Sequence, residues 1–160
     1  LIVSAGPGSW TGIRLGISFA KGLACGSGIH LYVVHAMDVL AWPLRSLTGR
    51  LCCLIPCRRE TLWYAIYEHR TRSATGQADL AEIVRDAGKG ALFTGPGLET
   101  VSPEESVRME IQVVPRIFWH PRASWAAFLA GELLAAGVPS LNPEPVYELS
   151  DENPLPDLRL

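Results

Sequence analysis

The residues best suited to chemistry lie in one glycine-rich segment, residues 6–14, which reads GPGSWTGIR. A phosphate-binding P-loop needs four residues between its two glycines, followed by Lys and then Ser or Thr. Here five residues separate Gly6 from Gly12, three separate Gly8 from Gly12, and Ile13-Arg14 stands where the lysine should be. The spacing therefore argues against a P-loop.

Two other chemical interpretations of this segment stay open beside a structural one. A hydrolase nucleophile elbow requires one residue between its first glycine and the serine, but Gly8 directly precedes Ser9 and no His and Asp partners can be placed, which disfavours it. A helix N-terminus can bind an anion through free backbone N–H groups and the helix dipole. Ser9 and Thr11 would then line a weak anion site. The structural interpretation, a strand–turn–helix corner whose glycines permit tight packing, is the favoured one.

The cysteines and histidines predict no metal site. No Cys-x-x-Cys pair exists, and we interpret Cys52 and Cys53 as buried or half-buried strand residues. His30 and His35 are five positions apart, off the i, i+4 spacing of helical metal ligands. We therefore predict no catalytic residue, no metal and no cofactor for this chain itself.

The glycine-rich segment joins a strand pattern at residues 1–4 to a helix that begins near Thr11 or Gly12. Gly26 and Gly28 are expected to stop this helix. Small residues recur along it every four positions and predict one bare face suited to close packing against another helix. These small residues are Gly12, Gly16, Ala20 and Ala24, and apolar surface to either side comes from Ile13, Leu15, Ile17, Phe19 and Leu23.

The rest of the chain alternates strand and helix patterns, which predicts an α/β chain with mixed sheets. Residues 61–68 are apolar on both faces and predict an interior strand. The other predicted strands are 30–34, 51–55, 91–94 and 111–114. The predicted helices are 36–47, 78–87 and 122–136, and the proline-rich stretch from Pro139 is expected to run extended over the surface.

Composition excludes several classes of protein. The chain has 160 residues, of which 48% are hydrophobic and 19% charged, and its net charge is −2, which is typical of a globular intracellular protein. An autonomous nucleic-acid binder would show a basic stripe. No run approaches the roughly 20 apolar residues that cross a bilayer. We therefore expect a cytoplasmic protein with no membrane partner.

The opening segment, continued by Leu15-Gly16 and by residues 20–24 (AKGLA), resembles the GPGSFTGLRIG…AKGLA signature of the TsaB (YeaZ) family, which acts in tRNA threonylcarbamoyladenosine biosynthesis. Trp10 for Phe and Ile13 for Leu are mild departures. Two later positions depart further: the family's Asp-Ala-Arg turn reads Pro56-Cys57-Arg58, and Tyr147 is followed by Glu148-Leu149 in place of Leu-Arg. The diagnostic part of the resemblance is the first two dozen residues.

The resemblance implies the two-lobe fold of actin-like ATPases (ASKHA). Lobe one would comprise residues 1–47 and 120–160, and lobe two residues 48–119. Family members begin with several strands and a helix ahead of this signature, so the first lobe is expected to be incomplete in this sequence.

The resemblance also implies a function, that of a non-catalytic subunit that binds and activates a TsaD-like paralogue. ATP and metal would be held by that enzyme, a TsaE-like ATPase would join the complex, and tRNA would be contacted only through the complex. A homodimer through the same helix is a further possibility. The residues expected to bind the partner are Gly12, Ile13, Arg14, Gly16, Ile17 and Ala20. The alternative is an enzyme of the same fold, either a phosphotransferase or a glycoprotease-like (M22-like) peptidase.

Overall fold

The computed structural model describes residues 1–47, 49–69 and 71–146. Contacts between residues divide the chain into two compact units, one of Leu1–Val39 with the described residues from Pro121 onward, and one of Leu40–His120. The lobe limits expected from the resemblance, 1–47 with 120–160 and 48–119, stay a prediction. The altered C-terminal motif at Tyr147 lies outside the described residues.

The first unit is built on a parallel pair of short strands. Val3 of the first strand lies beside Val33 of the second, and the Ala5 N–H donates to the Val34 carbonyl at 2.9 Å. The described part of the proline-rich stretch returns to these strands, since Leu141 N–H donates to the Val33 carbonyl at 3.4 Å. The elements of this unit are β1 (Ile2–Ser4), α1 (Trp10–Ser27), β2 (Tyr32–Val34) and α5 (Ala123–Ala135), and α2 (Ala36–Ala41) crosses into the second unit.

Helix α1 begins at Trp10, just before the predicted start near Thr11 or Gly12, and ends at Ser27. The side chain of Ser9 is its N-cap, with Oγ accepting from the Gly12 N–H at 3.2 Å. The helix runs through Gly26, which does not stop it, and ends before Gly28. Gly28 adopts the left-handed conformation (φ 69°) that glycine allows at a helix C-terminus.

The second unit is a five-stranded mixed sheet in the order β5-β4-β3-β6-β7. Strands β3 and β4 are both interior, so the prediction for residues 61–68 is confirmed, and Cys52 and Cys53 are fully buried in β3, also as predicted. Helix α3 packs Ile83 and Ala87 onto one face of the sheet. The elements are β3 (Arg50–Pro56), β4 (Leu62–Glu68), β5 (Thr71–Ala78), α3 (Leu80–Ala87), β6 (Leu92–Thr94), α4 (Pro103–Arg108) and β7 (Gln112–Val113).

Three elements differ from the sequence prediction. The helix expected over residues 36–47 ends at Ala41 and continues as a 3-10 turn, Trp42–Leu44, because Pro43 has no N–H to donate. Strand β5 and helix α4 were not predicted.

Among the described residues, no helix combines the length and hydropathy needed to cross a membrane.

Candidate protein-interaction surface

One side of α1 forms part of the core of the first unit. Ile17 is 3% exposed and packs with Ala5, Val33 and Val146, and half-buried Ile13 packs against the same cluster. The turn before α1 is shaped to this packing: Gly6 has φ 105°, and a Cβ built there would lie 2.7 Å from Ile13 Cδ1. Only glycine fits at this corner, which explains why the opening motif begins with Gly6.

The opposite side of α1 is apolar and exposed. Leu15 is 69% exposed, Phe19 67% and Leu23 46%. At 3.6 residues per turn these three side chains and Gly12, Gly22 and Gly26 lie within an arc of about 100°. We call these six residues the outer face of α1. A Cβ built at Gly22 or Gly26 would meet nothing within 4 Å, so the backbone between the three large side chains is bare.

The charges of α1 do not lie on the outer face; at 3.6 residues per turn they are about 80–100° around the helix from its nearest edge. The only charged residues in the helix are Arg14 and Lys21, both exposed. The Arg14 guanidinium lies 3.9 Å from the centre of the Trp10 ring, an i, i+4 cation–π contact at the start of the helix. An apolar strip that carries no charge can bury a complementary apolar surface.

The six predicted partner-binding residues are not on one face. Gly12 and Arg14 are exposed, Gly16 and Ile13 are half-buried, and Ile17 and Ala20 are buried within the unit. A row of residues at i, i+4 advances about 40° around the helix at each step, so a row that starts outside at Gly12 ends inside at Ala20. Their role in partner binding stays a prediction.

The outer face could have been found in the sequence by following the helical angle over all of α1. Leu15, Phe19 and Leu23 are on the side opposite Ile13 and Ile17, which makes α1 apolar on two faces. A helix that is apolar on all sides is normally buried on all sides. The pattern therefore contains a signal for a second packing partner.

The predicted anion site involves the N-cap of α1. Ser9 and Thr11 are both exposed, and Ser9 Oγ already accepts from the Gly12 N–H. One of the first-turn donors available to an anion is thus satisfied within the helix. Weak anion binding by Ser9 and Thr11 stays a prediction.

The second unit contains a cleft of about 590 Å³ at the turn between β3 and β4, where the family's Asp-Ala-Arg motif is replaced. Cys57, Arg59 and Glu60 line it. Its two other carboxylates both cap helices: Asp79 Oδ1 accepts from the Glu82 N–H at 2.9 Å, and Glu105 Oε2 accepts from the Ser102 N–H at 3.0 Å. These two groups serve the fold of α3 and α4.

Other ionisable groups of the second unit form structural pairs. Glu99 Oε1 accepts from Arg116 at 3.0 Å and lies 3.2 Å from His120 Nε2. The hydrogen bond from Arg116, followed by that from His120, holds the pKa of Glu99 below its usual range. Burial raises the pKa of the Cys52 thiol. In the described part of the chain no group of three or more His, Cys, Asp and Glu side chains could hold a metal.

Comparison with known proteins agrees with the opening motif. The model of the family described as "TsaD: tRNA N6-adenosine threonylcarbamoyltransferase" matches residues 1–87. The chain is 28% identical over 154 residues to the tRNA threonylcarbamoyladenosine biosynthesis protein TsaB of Bacillus subtilis (strain 168), an alignment that covers 90% of this chain and 67% of the relative.

Solved structures share the fold. YeaZ from Pseudomonas aeruginosa has a TM-score of 0.70 at 18% identity, covering 91% of this chain and 73% of its own. A Pseudomonas aeruginosa protein described as having similarity to peptidase YEAZ has a TM-score of 0.69 at 19% identity, covering 92% and 73%. These structures confirm the α/β fold of the actin-like ATPase (ASKHA) type. The family match over more than half of the chain, together with the TsaB relative, shows that this chain belongs to the TsaB (YeaZ) family.

Proposed function

We propose that this protein takes part in the biosynthesis of threonylcarbamoyladenosine in tRNA as a non-catalytic subunit. In this role it binds a TsaD-like paralogue and activates the transfer of the threonylcarbamoyl group to adenosine. Membership of the family supports involvement in the pathway. The finer statement, binding and activation of a partner, rests on the outer face of α1.

The outer face carries this proposal because it is a helical surface with no charge and three large exposed apolar side chains, Leu15, Phe19 and Leu23. Exposed contiguous apolar surface of this kind marks an interaction site in soluble proteins. The glycines between the side chains let another helix approach the backbone closely. The partner surface we expect is therefore a helix with large apolar side chains.

The rest of the assembly follows from this arrangement. ATP and metal would be held by the TsaD-like enzyme, and a TsaE-like ATPase would join the complex. Because the net charge of the chain is −2, tRNA would be bound by the complex and not by this subunit alone. The same outer face could also pair two copies of the chain when the paralogue is absent.

The test is reconstitution with the TsaD-like paralogue of the same organism. Wild-type protein should elute with the paralogue and stimulate threonylcarbamoyladenosine formation. The double variant Leu15→Glu/Phe19→Glu should lose both, since charges would be buried against an apolar partner. Val107→Glu is the matched control, because Val107 is 80% exposed on α4 of the second unit. A double variant with the circular dichroism of wild type and undiminished binding would refute the proposal.

A second candidate function is that of an enzyme of the same fold, because the matching family model is named for a transferase and one structural relative is described by its similarity to a peptidase. Calorimetry separates the two. Tight binding of ATP and Mg²⁺ by the isolated protein, or tRNA modification without a paralogue, would favour the enzyme. Stimulation only in the presence of the paralogue favours the subunit.

A further inference from the structure

A second interaction surface is present at the edge of the sheet in the second unit. Strand β5 is one of the two edge strands, and at eight residues it is far longer than β7, the two-residue strand at the other edge. Natural edge strands are usually protected by Lys, Pro, bulges or shortness. β5 contains no Lys or Pro, and its one irregularity, at Ser73, leaves residues 74–78 regularly paired with β4.

The hydrogen bonds fix which backbone groups of β5 point away from the sheet. The Cys57 N–H donates to the Thr61 carbonyl, and β3 and β4 pair without interruption from there, so Trp63 and Ala65 also turn their backbone groups toward β3. Tyr64 and Ile66 therefore face β5 and bond with their register partners, Gly76 and Ala74. The N–H and C=O groups of Thr75 and Gln77 then point outward.

These outward groups have no backbone partner among the described residues. Thr75 and Gln77 pair in register only with β4, and no other described residue donates to or accepts from their N–H and C=O groups. The Gln77 side chain is held to one side by its hydrogen bond to Thr61 Oγ1 at 2.9 Å. The edge therefore presents two residues with the donor and acceptor spacing that another extended backbone matches.

The side chains of β5 are small on the face covered by α3. Ala74, Gly76 and Ala78 lie on this face, and a Cβ built at Gly76 would lie 3.0 Å from the Tyr64 ring. The Tyr64 hydroxyl is 3.4 Å from Asp86 Oδ2 on α3. Three carboxylates belong to this helix: Arg85 pairs with Glu82 and Asp86, and Asp79 is the N-cap. The nearby Arg50 reaches the Asp86 carbonyl at 3.5 Å and pairs with Glu68. An incoming strand would meet small side chains, the Tyr64 ring and a surplus of negative charge.

We propose that the edge of β5 accepts an extended segment of a partner protein as a sixth strand. The segment is hydrogen-bonded to Thr75 and Gln77 and presents a Lys or Arg beside Gly76, toward Tyr64 and Asp86. Large apolar side chains two positions away on either side lie over Ala74 and Ala78. This surface is separate from α1 and does not depend on the function proposed above.

The test uses a synthetic peptide, acetyl-Val-Thr-Lys-Thr-Val-amide with a fluorescent label, and the full chain. In the proposed pairing both Thr residues lie opposite Thr75 and Gln77, so N-methylation of their amides should abolish binding measured by anisotropy. Replacing the peptide's Lys with Glu should weaken binding at least threefold, and this difference should disappear in Asp86→Ala. Equal affinity for the methylated peptide would overturn the proposal, and that comparison needs no protein variant.

A protein variant gives a second check. Gln77→Pro removes an outward N–H that the β4 ladder does not use, and Pro is tolerated at such edge positions. It should weaken peptide binding at least tenfold, whereas Gln77→Ala, which loses the same contact with Thr61, should bind like wild type. Wild-type affinity in a folded Gln77→Pro protein would overturn the proposal. Self-association of the chain that Gln77→Pro abolishes would also overturn it, since the occupant would then be a second copy.

Discussion

Helix α1 offers a matched pair of substitutions that separate folding from binding. Ile17 and Phe19 are two residues apart, but Ile17 is 3% exposed in the core of the first unit and Phe19 is 67% exposed on the outer face. We predict that Ile17→Ala lowers the free energy of unfolding by about 2–5 kcal/mol, because it leaves a cavity in a packed core. Phe19→Ala should change it by less than about 0.5 kcal/mol.

The effect of Phe19→Ala on binding can be worked from its exposure. A Phe side chain buries about 150–250 Å², so docking would remove about 100–170 Å² of the exposed part from water. At about 25 cal/mol per Å² this is about 2.5–4 kcal/mol. Alanine retains some of that area, which leaves an expected loss of about 2–3 kcal/mol, or a Kd for the TsaD-like paralogue raised about 30- to 150-fold.

Chemical denaturation of each variant measures the first quantity, and calorimetric titration with the paralogue measures the second. Val107→Ala, an exposed apolar residue outside α1, serves as the control and should change neither. A Phe19→Ala protein as destabilised as Ile17→Ala would show that the outer face is packed within the chain. A Kd within threefold of wild type would show that the outer face is not where the paralogue binds.

Three further predictions concern glycines and one carboxylate. Gly22→Ala should raise the free energy of unfolding by about 1 kcal/mol in a denaturant titration, since a methyl group there meets nothing and alanine favours the helix; no gain would contradict the open outer face. Gly95→Ala should lower it by more than about 3 kcal/mol, because its φ is 113° and a Cβ would collide with the main chain of β3. Gly90→Ala, with φ 80° and open space, should cost only about 1–2 kcal/mol, and equal losses would refute the clash. The pKa of Glu99 lies below its usual range, so its ion pairs stabilise the folded state at pH values above the usual pKa, and this stabilisation is lost as the pH falls through the lowered pKa. In an NMR titration Arg116→Ala should raise the pKa of Glu99, and an unchanged value would exclude Arg116 as the cause.

The parts of the fold that could be predicted are those where local pattern and final environment agree. The apolar run before Gly6, the N-cap at Ser9 and the doubly apolar strand β4 all carry their signal within a few residues. Buried Cys52 and Cys53 follow from the same rule, because β3 is covered on both faces. Short-range chemistry was sufficient in these segments.

Strand β5 could not be predicted because its own residues do not favour a strand. Its sequence, TRSATGQA, contains small and polar residues with no aromatic or branched aliphatic side chain. It is extended because β4 offers an edge to pair with, and this is a tertiary cause. Helix α4 is a different case, because the sequence does contain its signal. The capping box is made by Ser102 and Glu105, and Pro103 lies in the first turn.

The two faces of α1 show what the period-four pattern could and could not predict. Period-four spacing of small residues predicted one bare face, but an i, i+4 row winds around the helix and cannot define a face over three turns. The row is partly buried and partly exposed. Ala20 lies in the core, whereas Gly12 lies on the outer face with Leu15, Phe19 and Leu23. A helix that satisfies one apolar face within its own unit and leaves the other exposed has the composition of an element buried on both sides. A partner that covers Leu15, Phe19 and Leu23 would complete this burial, and the binding assays above test whether that partner is the TsaD-like paralogue.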